Sequence, residues 1–206
     1  MNYRNSDNPV EETLIIFTRY PEPGTTKTRL IPALGAEGAA QLHRQLAEKT
    51  LIQARELQAN REIDIEVHFT GGDRQLMENW LGSGIAYQKQ GEGNLGERMA
   101  AAFQMVFNRS QRAIAIGTDC PQLNAQLLAQ AFEELTANQV VLGAALDGGY
   151  YLIGLPRFIP ELFIGINWST EEVWQQTMAI VRDLNLSSAC LPPLADIDRP
   201  EDLNLL

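Results

Sequence analysis

Leu14, Ile15, Ile16 and Phe17 form an unbroken apolar run, the pattern of a strand covered on both faces. Arg19 breaks the run, and Pro21, Pro23 and Gly24 force the chain out of regular structure. Thr25, Thr26, Lys27, Thr28 and Arg29 then gather hydroxyls, backbone donors and cations just past the strand end. Open α/β sheets bind ligands there, beyond the carboxyl ends of their strands. A loop this rich in donors suits a phosphate group, although a solvated turn with scattered charge fits the loop alone as well. The spacing is neither a G-x-x-x-x-G-K-[ST] loop nor a G-x-G-x-x-G fingerprint.

Downstream, strand and helix patterns alternate. Leu42, Leu46, Thr50, Ala54 and Leu57 follow helical spacing and predict a long helix over 37–59. Ile63, Ile65, Val67 and Phe69 alternate with polar residues, as in a strand. Asp73 is placed to cap a short helix through Leu81, and residues 85–88 read as a short strand. A glycine loop, QGEGNLGERM, leads into an apolar helix. Residues 113–116 form a second buried strand, 124–137 a helix, and 140–146 and 150–155 two further strands. The last helix is predicted over 170–184, capped by Ser169 or Thr170. The alternation implies a mostly parallel sheet with helices on both faces.

The chain has 206 residues, 45% of them hydrophobic and 20% charged, so it has enough apolar material for one full core. A flexible lead-in over 1–12 and a single domain over 13–206 are expected. The formal net charge of −10 argues against non-specific binding to nucleic acid or to an anionic membrane. It also makes the Arg19, Lys27 and Arg29 cluster more informative. Cys120 and Cys190 lack CxxC spacing, which excludes zinc-ribbon and thioredoxin-like sites. Two small buried or half-buried thiols are expected. The amino terminus has no apolar h-region and no run is long enough to span a membrane, so a cytoplasmic protein is expected.

Three further stretches carry candidate chemistry. In AIGTDCPQL a buried strand delivers Asp119 to the same sheet edge as the first loop. There it is placed to hold a divalent ion bridging phosphate oxygens, or else to cap the next turn. In ADIDRPEDL, Asp196 and Asp198 face the same way if the chain is extended, while an acidic solvated turn is the plainer reading. Mg2+ or Mn2+ would need only one or two such carboxylates plus substrate phosphates. In LDGGYYLIGL, Asp147 precedes Gly148 and Gly149, which admit a ligand close to the backbone or form a hairpin. Tyr150 and Tyr151 point to opposite faces, so only one is expected at a pocket. Glu97 and Arg98 stand where the glycine loop meets a helix, as base or phosphate contacts or as a surface ion pair. His43 and His68 receive no role. Trp80, Trp168 and Trp174 fit a core or an interface, and the oligomeric state stays open.

PEPGTTKTRL, QGEGNLGERM, GTDCPQL, LDGGYYLIGL and DIDRPEDL, in this order, resemble the bacterial transferase 1 family, DUF2064-like and associated with radical-SAM and selenoprotein-like domains. Its members are labelled glycosyltransferases, and the family is similar to the nucleotide-diphospho-sugar transferase (GT-A) superfamily and to guanylyltransferases. The resemblance implies a single-domain, GT-A-like three-layer α/β sandwich. It implies nucleotide contacts from Arg19, Gly24, Lys27, Arg29, Gly93, Asn94, Gly96 and Arg98. It further implies metal ligation by Asp119 and Asp198, with Asp196, and an acceptor facing Asp147, Gly148, Gly149 and Tyr150. Catalysis would rest on Asp119, Asp147 and Lys27. One departure matters: Thr118 and Cys120 flank Asp119, where GT-A glycosyltransferases often carry D-x-D. Glycosyl transfer from a nucleotide sugar to a small-molecule acceptor, nucleotidyl transfer releasing pyrophosphate, and a non-catalytic nucleotide-binding module all remain open at this point.

Overall fold

The computed structural model describes residues 11–206. Residues 1–10, most of the expected lead-in, lie outside the described residues. Strand β1 (Glu12–Arg19) begins at the lead-in's last position, and Glu12 is buried beneath the Arg61 and Arg112 guanidiniums. The elements that follow are α1 (Ile31–Asn60), β2 (Asp64–Thr70), α2 (Arg74–Leu81), β3 (Ala86–Lys89), α3 (Leu95–Val106) and β4 (Arg112–Ile116). Then come α4 (Ala125–Glu134), β5 (Val140–Ala145), β6 (Tyr150–Leu155), α5 (Val173–Asp183) and β7 (Ser188–Leu194).

One seven-stranded sheet runs in the order β3-β2-β1-β4-β6-β5-β7. Only β6 is antiparallel to its neighbours, β4 and β5; the remaining pairings are parallel. The carboxyl ends of the parallel strands therefore share one edge, and β6 starts from it. Alternation along the strands divides the core. Leu14, Ile16, Ile114 and Ile116 pack under α1, α2 and α4 through Leu51, Met77 and Phe132. Ile15, Ala113 and Ala115 face α3 and α5, where Met99, Phe103 and Val181 fill the space above the small alanines. Phe103 and Phe132 are fully buried, each stabilising the fold by about 1.5–3 kcal/mol relative to exposure. This is a single-domain, three-layer α/β sandwich.

Local chemistry accounts for the boundaries. Asp73 accepts a bond from the Leu76 N–H and starts α2. Helix α1 starts earlier than its periodicity predicts, at Ile31, with a non-helical break at Gly35. Helix α5 starts later than predicted and without a side-chain cap. The expected caps are used elsewhere: Thr170 donates to the Asn167 carbonyl at 2.7 Å, and Ser169 turns left-handed with φ 65°. Strand β7 has no counterpart among the predicted elements, because Pro192 and Pro193 mask it. Among the described residues it is an edge strand paired only with β5, where proline is tolerated. Tyr151 lies across Gly143, whose absent Cβ would fall 2.3 Å from the ring, and its hydroxyl donates to the Pro192 carbonyl. Both cysteines are free; Cys120 is buried, but Cys190 is exposed on β7, contrary to the expected burial. Among the described residues no helix is long and apolar enough to cross a membrane.

Candidate functional site

The shared strand edge opens into a cleft of about 990 Å³, within the range of small-molecule sites. Thr18 and Arg19 from the end of β1, Gly117–Cys120 from the exit of β4 and Asp147 from the β5–β6 hairpin form its floor and sides. Trp168–Glu171, ahead of α5, and the carboxy-terminal segment through Asp196, Asp198, Arg199 and Asp202 complete it.

The first loop folds on its own hydroxyls. Thr26 Oγ1 donates to the Tyr20 carbonyl and accepts from the Glu22 N–H, while Arg19 reaches forward to the Thr25 carbonyl at 2.6 Å. Lys27 follows in the left-handed region, φ 46°. Its ammonium stands 2.7 Å from Asp119 Oδ1 and donates to the Ile197 carbonyl. The Ile197 N–H donates in turn to the Asp119 carbonyl at 2.9 Å. Segments far apart in the chain are thus tied into one corner of the sheet edge. Arg29 and Asp198 form an ion pair at the same corner.

Carboxylates cluster along the same cleft. Asp147 Oδ1 accepts the Gly149 N–H at 2.8 Å, which fixes the side chain beside the cleft. Burial, then the nearby Asp147 and Asp119 charges, push the Asp196 carboxyl up to about 6. Crowded hard oxygen donors of this kind suit Mg2+ or Mn2+. Among the described residues no three carboxylate, imidazole or thiol groups stand close enough to enclose a cation unaided, so water or phosphate oxygens would have to complete its shell. Asp119 and Asp196 could supply ligands; Asp198 has one oxygen committed to Arg29.

The expected site residues divide. Arg19, Arg29, Asp119, Asp147, Gly149, Tyr150, Asp196 and Asp198 border the cleft. Gly24, Lys27, Gly93, Asn94, Gly96, Arg98 and Gly148 do not. Asn94 and Glu97 form a reciprocal capping box that starts α3. Gly96 packs under the Trp168 indole, whose nitrogen would be 2.2 Å from an added Cβ. Arg98 is held by the Gln90 side chain and the Asn94 carbonyl. Gly148 abuts the Glu171 backbone. Tyr150 and Tyr151 do face opposite core layers, but both reach the cleft wall because the strand begins there.

Sequence reasoning missed several wall residues. His43 brings Nε2 within 3.0 Å of the Arg19 carbonyl and 3.3 Å of Thr18 Oγ1, and burial lowers its pKa. Nothing in the sequence distinguishes it from other helix residues. Gln90 donates to the Thr18 and His68 carbonyls and ties β3 to the cleft. Trp168 meets Tyr150 edge-on, with 6.2 Å between ring centroids. Arg199 also lines the cleft, and its place as the only cation in ADIDRPEDL was a usable signal.

The sequence matches a family model described as "Uncharacterized protein conserved in bacteria (DUF2064)" over residues 52–170. Curated proteins yield no match. Among solved structures, a "putative nucleotide-diphospho-sugar transferase" from Desulfovibrio desulfuricans G20 is similar, with 34% identity and a TM-score of 0.88 over 94% of this chain and 85% of that one. Two others share the fold at lower identity. The Rv0371C complex with manganese from Mycobacterium tuberculosis H37Rv is 14% identical, TM-score 0.61, over 95% of this chain and 97% of that one. The 4-diphosphocytidyl-2C-methyl-D-erythritol synthase of Anaerococcus prevotii DSM 20548 is 12% identical, TM-score 0.62, over 96% and 97%. The match across more than half of the chain, together with the 34% identical relative, places this protein in the DUF2064 family.

Proposed function

We propose that this transferase takes a nucleotide-diphospho-sugar donor and passes the sugar to a hydroxyl of a small-molecule acceptor. The observation that carries the reading is one cleft bordered by both guanidiniums and carboxylates. Arg19, Arg29 and Arg199 are the cations that border it, and Asp119, Asp147 and Asp196 are the carboxylates. A diphosphate is the ligand class that needs both, because its oxygens accept from guanidiniums and share a divalent ion with carboxylates. The 34% identical relative carries a nucleotide-diphospho-sugar transferase description, which supports the sugar donor.

In this reading the diphosphate lies between Arg29 and Asp119. When bound, the divalent ion supplies positive charge where negative charge develops on the phosphate oxygens. The acceptor hydroxyl attacks the anomeric carbon as the bond from that carbon to the phosphate oxygen breaks, and the electron pair leaves with the nucleoside diphosphate. Asp147, oriented by the Gly149 N–H, takes the hydroxyl proton. Tyr150 and Trp168 wall the acceptor side.

Nucleotidyl transfer is the second reading. It is favoured by the single carboxylate at the end of β4, since Thr118 and Cys120, both buried, flank Asp119 without adding a ligand. Incubation with nucleotide sugars or nucleoside triphosphates, with Mn2+ and a pool of small hydroxylated acceptors, separates the two. Release of nucleoside diphosphate is expected from the sugar donors. Pyrophosphate release from the triphosphates would transfer the assignment to the second reading, and no turnover or thermal stabilisation by any of them would overturn both.

A further inference from the structure

Lys27 lies within the cationic loop, yet it is not placed like a substrate ligand. Its side chain is 4% exposed and absent from the cleft wall, whereas that of Arg29 is 61% exposed and borders the cleft. Its ammonium is engaged by two acceptors, Asp119 Oδ1 and the Ile197 carbonyl. Its backbone is held left-handed at φ 46°, a conformation that residues with a Cβ seldom adopt. The side chain lies buried at the sheet edge instead of reaching out to solvent.

Asp119 shows the other half of the arrangement. Oδ1 is buried, accepts no aligned hydrogen bond, and is met by the Lys27 charge at 2.7 Å. The side chain as a whole is 48% exposed and borders the cleft, so the exposed part of the carboxylate is its other oxygen. The Asp119 carbonyl is tied to the Ile197 N–H, and Ile197 is fully buried. Lys27 and Ile197 together fix both ends of Asp119.

We infer that Lys27 is a positioning residue: it holds one oxygen of Asp119 from behind so that the other is presented to a divalent ion in the cleft, and it makes no contact with phosphate. The inference rests on the reading of Asp119 as a ligand of the donor's metal. By its chemistry Lys27 belongs with the outer partners that orient metal ligands, whose removal costs about 10–100-fold in metal affinity. Phosphate contact falls instead to the cleft-facing guanidiniums, Arg29 foremost.

The test uses two probes on the full chain: MnCl2 alone, followed by electron paramagnetic resonance, and inorganic pyrophosphate in EDTA, followed by calorimetry. Lys27→Met is expected to weaken Mn2+ binding by ~10-fold or more and to leave metal-free pyrophosphate affinity within about 2-fold. Arg29→Met is expected to weaken pyrophosphate by about 10-fold and to affect Mn2+ less. Lys27→Arg, which keeps the charge, should recover most of the Mn2+ affinity. Thermal melting verifies folding, and Lys27→Gln replaces Lys27→Met if that variant fails to fold. Wild-type Mn2+ affinity in the Lys27 variant, or a pyrophosphate loss equal to that of Arg29→Met, would overturn the inference alone. Absence of Mn2+ binding by the wild type would defeat the reading of Asp119 beneath it and overturn the inference with it.

Discussion

The glycine loop over residues 91–96 and the one over residues 146–149 read alike in sequence, as flexible stretches where a ligand approaches backbone, and they end in different places. In the first, Asn94 and Glu97 cap α3 and Gly96 makes room for the Trp168 ring. In the second, the chain reverses from β5 to β6 at the shared carboxyl edge of the sheet, so Asp147 and Gly149 border the cleft. Gly148, at the tip, is spent on packing against Glu171. Glycine thus signals close approach in both loops, but what approaches is a side chain or backbone as often as a ligand. Sheet order separates the two cases: the first loop leaves β3 at the edge of the sheet, whereas the second joins β5 to β6 inside it.

That contrast can be broken by substitution. The largest effect is expected away from both loops: Asp119→Ala should lower donor turnover by about 100-fold or more with the fold retained, and activity near wild type would remove Asp119 from the chemistry. Gly96→Val should then distinguish packing from ligand approach. With Trp168 Nε1 2.2 Å from the new Cβ, a loss of about 1–3 kcal/mol is expected. Thermal melting reads it, and a stable variant impaired only in donor binding would return the first loop to the ligand. Asn94→Ala should cost about 1 kcal/mol through the lost cap and leave donor affinity unchanged by calorimetry. A tenfold loss of affinity would mean that the loop grips the nucleotide after all.

The smallest expected effect is a pH-dependent one at Asp196. Its carboxyl titrates at about 6 in the folded chain against an ordinary 3.8, so the folded state binds this proton more tightly than the unfolded one. The stabilisation from that proton is complete below about pH 4 and is lost as pH rises through 6. Asp196→Asn should therefore stabilise the fold above pH 6, by about 1 kcal/mol once solvent screening is allowed for, seen as a raised melting temperature, and should be neutral near pH 4. An equal shift at both pH values would show that burial of the carboxylate and its crowding by Asp147 and Asp119 are not the cause.

The three layers were legible because their signals are local: apolar runs for β1 and β4, helical spacing for α1, and Asp73 for the start of α2. Strand β7 was hidden by Pro192 and Pro193, whose tolerance depends on an edge position that only the sheet order reveals. At the site, Asp119 and Asp147 stood out as carboxylates at strand ends. The burial of Lys27 could not be read, since it follows from the return of Ile197 across 170 positions. His43 enters the wall only because α1 lays its middle against the end of β1.

The account depends on a diphosphate and a divalent ion sharing the cleft at Asp119. Calorimetric titration of a panel of nucleoside diphosphates, with Mn2+ and again in EDTA, tests this most directly. At least one should bind about 10-fold tighter or better with Mn2+, and the gain should vanish in Asp119→Ala. Equal affinity with and without metal, or a gain that survives Asp119→Ala, would contradict it.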